Sequence, residues 1–405
     1  MSTSRDPEPI AVLGGGPAGM ATALALIKAG HQVRIYERYP EARPAGNILN
    51  LWPPPIKALE SMGVDTVDLG APCHSSFRND KGHVRADIHI PDSVLARYGG
   101  GFIGLLRPDL YDRMLRAIPA GVLQTGKQVT AIVDHGDGVT LSFANGETIE
   151  TPLLIGADGI DSMVRAQLWG DSPKRDHKLA IIGGYTFDLP ASAEKNECVI
   201  SHNRTTQASY TAIRSKGRDG FQWWVLEAWD PETPAPTDLH AHATVVGSAF
   251  GSPITDLIAS TPRENLQRWP IRDRKPLKHW SKGRITLAGD SAHATSPYAA
   301  YGAGMSICDG YFLGKALTGV DLTDTAEVIR ALKAYETPRI PHTTGQVQQA
   351  FILGQAFHHA PAIMRPLRDF VMDKTSMLQK QVGERSPKEI VAQLDEMDAE
   401  LTVPA

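Results

Sequence analysis

Residues 10–37 read IAVLGGGPAGMATALALIKAGHQVRIYE. The apolar run 10–13 predicts a strand, the Ala- and Leu-rich segment 18–29 predicts a helix that ends at Gly30, and 33–36 predicts a second strand. A strand, helix and strand of about thirty residues form a right-handed unit of a parallel sheet. Ligands bind where the strands of such a sheet end, so the loop between the first strand and the helix is the first candidate site.

This loop carries the pattern GxGxxG at Gly14, Gly16 and Gly19. The first glycine permits the tight turn, the second lets a pyrophosphate approach, and the third lets helix and strand pack closely. The N–H groups at the helix start then attract the phosphates. Glu37 follows the second strand, 18 residues after Gly19, where a carboxylate accepts hydrogen bonds from a ribose. The pattern predicts a dinucleotide site.

Composition limits the other classes of function. The chain has 405 residues, and 41 basic against 45 acidic residues give a net charge of −4, which does not favour nucleic-acid binding. Its three cysteines are far apart and lack metal-ligand spacing, so we expect no disulfide framework and no metal site. The uncharged run 10–27 is broken by glycines and a proline, and the polar N-terminus does not resemble a secretory signal. We therefore expect no integral membrane association and a cytoplasmic location.

The pattern changes along the chain. Short alternating segments joined by turns predict a β-meander over 122–156, and 180–275 is rich in strand-forming and aromatic residues, which predicts a second sheet. After 305 the sequence is mainly helical. A further strand and turn, RITLAGDSAHA at 284–294, precedes a second glycine-rich helix start at Gly302, Ala303 and Gly304.

Three motifs in this order, the N-terminal GxGxxG, GADGIDSMVR at 156–165 and RITLAGDSAHA, resemble those of the group A flavoprotein monooxygenases. This is the family of para-hydroxybenzoate hydroxylase and salicylate hydroxylase, and the chain is also similar to tetracycline-inactivating monooxygenases. The resemblance runs from about residue 9 to 345. It implies an α/β fold: a Rossmann-like FAD-binding domain of the GR2 type, an inserted β-sheet substrate domain and a C-terminal helical region. We expect the FAD-binding domain at 1–72, 102–172 and 273–345, the sheet domain at 73–101 and 173–272, and the C-terminal helices at 346–405.

The resemblance also implies which residues bind tightly held, non-covalent FAD. Asp290 matches an aspartate that binds ribitol and pyrophosphate, and Arg107 matches an arginine on the flavin side. Asn50 occupies a position where relatives carry an aspartate that contacts the flavin. The change to asparagine removes the charge of that contact. The alternative to cofactor binding is a turn cap for Asp158 and a surface ion pair for Arg107. The implied cofactor-binding residues are Gly14, Gly16, Pro17, Ala18, Gly19, Glu37, Arg38, Arg43, Gly46, Asn50, Arg107, Asp158, Gly289, Asp290, Gly302, Ala303 and Gly304.

The substrate side is less well marked by sequence. PYAAYGAGM at 297–305 departs from the family pattern, so Tyr298 and Tyr301 shape the expected pocket together with Tyr210 and Trp224. Polar groups of the predicted sheet that orient or deprotonate a phenol are His202, Tyr210 and Arg214. A structural role is the alternative for each of these side chains.

The implied reaction uses NAD(P)H as a transient co-substrate and O2. The reduced flavin forms a C4a-peroxyflavin, which transfers one oxygen atom to a hydrophobic aromatic or polycyclic small molecule, most simply as a hydroxyl group. The alternatives left open are a flavin dehydrogenase or reductase that does not activate oxygen, a Baeyer–Villiger or epoxidising oxygenase, and a flavoprotein with a structural or sensory cofactor. The expected assembly is a monomer or homodimer.

Overall fold

The computed structural model describes residues 8–43, 46–98, 101–299 and 301–401. Its strands are β1 (Ile10–Leu13), β2 (Val33–Tyr36), β3 (Ile48–Leu51), β4 (Ala71–Asn79), β5 (Val84–Ile88), β6 (Phe102–Leu106), β7 (Leu123–Gln124), β8 (Val129–Asp134), β9 (Val139–Phe143), β10 (Thr148–Thr151), β11 (Leu154–Gly156), β12 (Arg175–Thr186), β13 (Glu197–His202), β14 (Gln207–Ser215), β15 (Arg218–Ala228), β16 (Gln267–Asp273) and β17 (Ile285–Leu287). Its α-helices are α1 (Pro17–Lys28), α2 (Pro53–Ser61), α3 (Asp92–Tyr98), α4 (Arg107–Ala117), α5 (Met163–Trp169), α6 (Leu239–Gly247), α7 (Ile254–Ala259), α8 (Asp290–His293), α9 (Gly302–Leu317), α10 (Thr325–His358), α11 (Arg365–Lys374) and α12 (Arg385–Asp398).

The predicted β-α-β unit is the centre of a parallel sheet with the strand order β17-β11-β1-β2-β7. Strands β1, β11 and β17 are completely buried because helices cover the sheet, which explains their continuous apolar sequences. Helix α9 crosses α1 closely at Gly310, where a Cβ atom would lie 2.5 Å from the carbonyl carbon of Ala21. The two glycine-rich helix starts therefore belong to neighbouring helices.

The predicted meander is an antiparallel sheet of β8, β9 and β10 that leads back into β11. Its two turns contain Gly136 and Gly146, which have φ angles of 90° and 85°. Positive φ angles of this size favour glycine, and the two turns, HGDG at 135–138 and ANGE at 144–147, are the connections between the predicted segments of the meander.

The second, larger sheet follows the order β16-β12-β15-β14-β13-β4-β6-β3, with β5 paired to β4. Two of its strands, β3 and β6, come from ranges that we assigned to the FAD-binding domain, so the two units share a sheet edge. One face packs on α6 and α7 around Trp223, and the other faces the FAD-binding half. The expected α/β fold of the GR2 flavoprotein type is confirmed, while the exact domain boundaries stay a prediction.

The C-terminal part is helical, as predicted. Helix α10 contains 34 residues with Pro338 and Pro341 inside it, and α11, a π-helical turn at Gln379–Gly383 and α12 follow. Within the described ranges, no helix is both long and apolar enough to cross a membrane.

Candidate active site

The glycine-rich loop between β1 and α1 has the geometry of a phosphate cradle. Gly14 has a φ of 109°, and a Cβ there would lie 2.3 Å from the Ala157 carbonyl oxygen. At Gly19 a Cβ would lie 1.9 Å from the carbonyl oxygen of Gly14. At Gly16, by contrast, no atom lies within 4 Å of a Cβ position. The outer two glycines are needed for packing, and the middle one leaves open space at the start of α1.

Glu37, at the end of β2, lies beside this loop. Its Oε2 accepts a hydrogen bond from the Gly15 N–H at 2.7 Å, and its Oε1 accepts one from the Tyr39 N–H at 2.9 Å. Glu37, the residue predicted to bind the ribose, is thus held against the loop. Arg38 and Arg43 are exposed, and both guanidinium groups lie over the Tyr39 ring, at 5.0 and 5.2 Å from its centroid.

Asp290 and Arg107 face a common cavity from opposite elements, at the starts of α8 and α4. Desolvation disfavours both charged forms, so it raises the pKa of Asp290 and lowers the pKa of Arg107. The attraction between the two opposite charges partly offsets both shifts. Gly289 has a φ of 65°, and a Cβ there would lie 2.6 Å from the Ala18 side chain. Gly46 packs on Arg107, with its Cβ position 3.1 Å from Cδ.

Asp158 is turned towards a helix start rather than the cavity. Its Oδ2 accepts a hydrogen bond from the Met163 N–H at 2.8 Å, as a cap of α5 does. Burial raises its pKa, and Oδ1 is buried without a hydrogen-bond partner. Its neighbours Ala157 and Gly159 line the cavity. In this structure Asp158 follows the turn-capping alternative, and its cofactor contact stays a prediction.

The start of α9 closes the predicted flavin site. Gly302 and Ala303 line the cavity, whereas Gly304 packs on the ring of Tyr301, 2.7 Å from the position of a Cβ. The Tyr301 hydroxyl donates to Gln393 Oε1 at 2.5 Å, which ties this turn to α12. Tyr298 also lines the cavity, and its hydroxyl contacts Nε2 of His358.

The cavity has a volume of about 1090 Å³ and joins the glycine-rich loop to the second sheet. Because strand residues alternate between faces, every second residue of four adjacent strands reaches it. We call this surface the inner wall; it consists of Ser75, Phe77, Cys198, Ile200, Gln207, Ser209, Gln222, Trp224 and Leu226. The predicted pocket residue Trp224 is one of its members.

The same alternation turns Tyr210 away from the cavity, in contrast to our expectation. Tyr210 follows the inner-wall residue Ser209, so its ring packs in the core on the other face with Phe221, and its hydroxyl donates to Glu197 Oε2 at 2.9 Å. Burial raises its pKa above the range in which it could act as a base near neutral pH. Tyr210 is therefore not placed to act on a bound molecule.

The other two predicted catalytic residues also have structural partners. His202 is stacked on Phe357 with ring centroids 3.9 Å apart, and burial lowers its pKa so that the ring is neutral. It lies behind the cavity lining formed by Phe357 and Phe77. Arg214 is at a hairpin end, where its Nε lies 2.9 Å from Asp219 Oδ1.

Gln222 is a site residue that the sequence analysis missed. This inner-wall side chain is 3 % exposed; its Nε2 donates to the Leu49 carbonyl at 3.0 Å and to Asn50 Oδ1 at 2.5 Å, and its Oε1 accepts from the Leu49 N–H at 3.0 Å. It therefore pairs with β3 as a further strand would and fixes Asn50. A single glutamine in an aromatic strand gives no signal of such a partner.

We expect Gln222→Leu to lower the free energy of unfolding by about 1–3 kcal/mol in total, because it leaves the half-buried N–H and carbonyl of Leu49 without their partners. Urea unfolding of the purified protein measures the effect. Gln267→Leu on the exposed edge strand β16 is the matched control, and it should change stability by less than about 0.5 kcal/mol. Equal effects of the two substitutions would contradict this role of Gln222.

A buried ionic cluster supports the Gly289–Asp290 turn from behind. Asp309 of α9 accepts a hydrogen bond from the Gly289 N–H at 2.8 Å, and its other oxygen accepts one from Nε of Arg339 at 2.8 Å. Both side chains are fully buried. The sequence analysis did not identify this cluster: a charged residue inside the apolar helix sequence could have pointed to Asp309, but nothing in the sequence pairs it with Arg339.

The residues present fit an FAD molecule. An open space at Gly16, a helix start behind it, a carboxylate at Asp290 and a second helix start at Gly302 line one continuous cavity. These are the groups that a pyrophosphate, a polyol chain and an electron-poor ring require. Within the described part of the chain, no group of three or more His, Cys, Asp or Glu side chains is arranged to hold a metal ion.

Comparisons with known proteins agree with this site. The family model described as FAD binding domain matches residues 8–350. The chain is 29% identical over 375 residues to the 3-amino-4-hydroxybenzoate 2-monooxygenase of Streptomyces platensis, covering 91% of this chain and 93% of that protein. It is 30% identical over 353 residues to the 6-hydroxynicotinate 3-monooxygenase of Bordetella bronchiseptica, covering 82% and 90%.

Among solved structures, Klebsiella pneumoniae HpxO in complex with FAD and uric acid superposes with a TM-score of 0.83 at 22% identity, covering 95% of this chain and 97% of that chain. This likeness shows a shared fold, and the resemblance inferred from the motifs is confirmed. FAD is the cofactor that the family match supports. The chain belongs to the FAD-binding domain family, which includes the flavoprotein monooxygenases that hydroxylate aromatic compounds.

Proposed function

We propose that this chain is an FAD-dependent monooxygenase that uses NAD(P)H and O2 to hydroxylate an aromatic or polycyclic small molecule. The observation that carries the proposal is one continuous cavity, in which the FAD cradle at Gly16 and Asp290 opens onto the uncharged inner wall. A ring held against that wall lies next to the predicted flavin position. The relatives named above are monooxygenases of aromatic compounds, which supports the same reaction.

The chain's own residues bind, orient and exclude water. Gly16 and the free N–H groups at the start of α1 would hold the pyrophosphate, and Asp290 would hold the ribitol. The N–H groups at Gly302 and Ala303 would stabilise negative charge on the flavin ring. Held by these residues, FAD would supply the redox chemistry: acceptance of a hydride from NAD(P)H and activation of O2 for transfer of one oxygen atom to the substrate. The inner wall keeps water from the reacting ring.

The second candidate function is a flavin dehydrogenase that does not transfer oxygen. We would reduce the purified holoprotein with NADPH or NADH under anaerobic conditions, with and without aromatic ligands, and then add ¹⁸O2. We expect one ligand class to accelerate reduction and to yield a phenol that contains one ¹⁸O atom. Flavin reduction and reoxidation without ¹⁸O in any product would favour the dehydrogenase, and a labelled lactone or epoxide would indicate another oxygenase reaction.

A catalytic base is not part of this proposal, because His202, Tyr210 and Arg214 are engaged elsewhere. A cytoplasmic location is supported by the cysteines Cys73, Cys198 and Cys308, each of which is a free thiol. A monomer or homodimer stays a prediction, which light scattering of the purified holoprotein would test.

A further inference from the structure

We infer that the aromatic substrate carries no carboxylate and is held through uncharged polar groups. This inference rests on the proposed function and names its substrate class. It starts from the inner wall, whose nine side chains are all uncharged. A carboxylate buried against such a wall would lose its hydration without gaining a counter-charge. The site would therefore select against a benzoate.

The positive charges around the cavity already have negative neighbours. Among the described residues, the cations that line the cavity are Arg107, Arg268 and Arg272. Arg107 belongs to the FAD end, within the electrostatic reach of Asp290. Arg272 Nε lies 3.2 Å from Asp176 Oδ2. Neither arginine is left to balance the charge of a substrate on the inner wall.

Arg268 is the cation that most needs to be tested. It lies on the edge strand β16, its guanidinium group is 4.6 Å from the ring centroid of Trp229, and the charge of Glu227 acts on it. One of its Nη atoms is buried and has no hydrogen-bond partner, so Arg268 is the group most able to bind an anion. Trp269 and Ile271 pack with inner-wall residues, so Arg268, which alternates with them along β16, lies on the opposite face of the sheet. It lines the cavity because β16 is an edge strand and the side chain reaches the cavity around that edge.

The side of the cavity formed by the C-terminal helices carries a carboxylate that is already paired. Glu389 of α12 lines it and accepts hydrogen bonds from Gln346 Nε2 at 2.8 Å and Arg385 Nε at 2.6 Å. Arg385 balances the charge of Glu389, so this ion pair leaves no net positive charge for a carboxylate. The side of the cavity opposite the inner wall thus supplies no counter-charge either.

In place of a cation, the cavity offers uncharged hydrogen-bonding groups. Ser209 and Gln207 lie side by side along the inner-wall face of β14, and Gln349 faces the cavity from α10. Hydroxyl and amide groups can both donate and accept, so they match hydroxyl, amino, amide or ring-nitrogen substituents. Of these, the hydroxyl and amino substituents also make a ring electron-rich without adding a charge. The inference separates this chain from its relative named for 3-amino-4-hydroxybenzoate.

The test is a binding comparison with matched ligands. Oxidised FAD-loaded protein, without NAD(P)H, is titrated with hydroxy- and aminobenzoates and with the corresponding benzamides, which keep the ring substituents but lack the charge. Flavin absorbance and calorimetry report binding. We expect each benzamide to bind at least about tenfold more tightly than its benzoate, because the unpaired carboxylate must be desolvated. Equal or tighter binding of the benzoates would overturn the inference.

Two variants locate the source of any selectivity. Ser209→Arg places a cation on the inner wall and should reverse the preference towards the benzoate, whereas Ser209→Met, of comparable bulk, should not. Arg268→Gln should leave the benzamide affinity within about twofold of wild type, because an uncharged ligand held by the inner wall does not need this cation. Benzoate binding that disappears in Arg268→Gln would overturn the inference and assign the substrate anion to Arg268.

The same preparation separates this inference from the proposed function. FAD content is measured before any aromatic ligand is added, and reduction by NAD(P)H is measured both without and with each ligand. A protein that holds FAD and is reduced, but prefers benzoates, contradicts only the substrate class. A protein that holds no FAD, or whose FAD is not reduced by NAD(P)H with any ligand of the panel, contradicts the proposed function and the inference with it.

Discussion

Replacing Asp309 by leucine is expected to lower the free energy of unfolding by about 3–5 kcal/mol, because the substitution leaves a buried guanidinium without its counter-charge. Arg339 is fully buried and donates through Nε to Asp309. Burial alone would raise the pKa of Asp309, but His293 and Arg339 outweigh it and hold the pKa below its ordinary value. The carboxylate is therefore charged in the folded protein, and urea unfolding of the variant measures what its loss costs.

The double variant Asp309→Leu/Arg339→Met tests the physical cause. Removing both charges avoids the unpaired guanidinium, so the double variant should be more stable than Asp309→Leu alone. It should remain less stable than wild type, because the Gly289 N–H also loses its acceptor. A double variant that is no more stable than the single one would show that the ion pair is not the source of the effect.

This cluster also connects stability to the cofactor. Asp309 fixes the N–H of Gly289, and the next residue, Asp290, faces the cavity. We therefore expect Asp309→Leu to hold less FAD than wild type even at temperatures where it stays folded. The two charged residues are thirty positions apart on different helices, so only the packing of α10 against α9 brings them together.

The sequence was most informative where local chemistry and fold coincide. The run from Ile10 to Glu37 folds as predicted because a parallel β-α-β unit is defined by short-range periodicity and by its glycine loop. It was least informative in the second sheet, where both faces are buried. Ser209 and Tyr210 are neighbours, and alternation alone cannot say which of them faces the cavity and which faces the α6 and α7 core.

Long-range pairs were equally beyond prediction. Gln222 contacts Leu49 and Asn50, which are more than 170 positions away in the sequence. Glu389 lines the cavity from the C-terminal helices, far from the other cavity residues in the sequence. No motif marks such contacts, because they depend on how distant elements pack rather than on local periodicity. The charge character of the cavity, on which the substrate inference depends, became visible only in three dimensions.

Gly16→Val is expected to weaken FAD binding by about 100-fold or more, because the added methyl groups occupy the space through which the pyrophosphate approaches the loop. The folded chain should tolerate the change, since no atom lies within 4 Å of a Cβ at Gly16 and its φ of −77° suits any residue. FAD titration of the apoprotein, together with urea unfolding of the same sample, separates binding from stability.

Two matched substitutions make this result specific. In Gly19→Val the Cβ would lie 1.9 Å from the Gly14 carbonyl oxygen, so this variant should lose stability as well, by about 1–3 kcal/mol or more from overpacking. In Gly138→Val the Cβ would meet only the Thr151 carbonyl oxygen at 3.5 Å, so FAD affinity should be unchanged. Retention of full FAD affinity by Gly16→Val would mean that the pyrophosphate does not pass over this loop. Loss of FAD by Gly16→Val with unchanged stability would place the cofactor against Gly16, the glycine of the motif that the fold itself does not require.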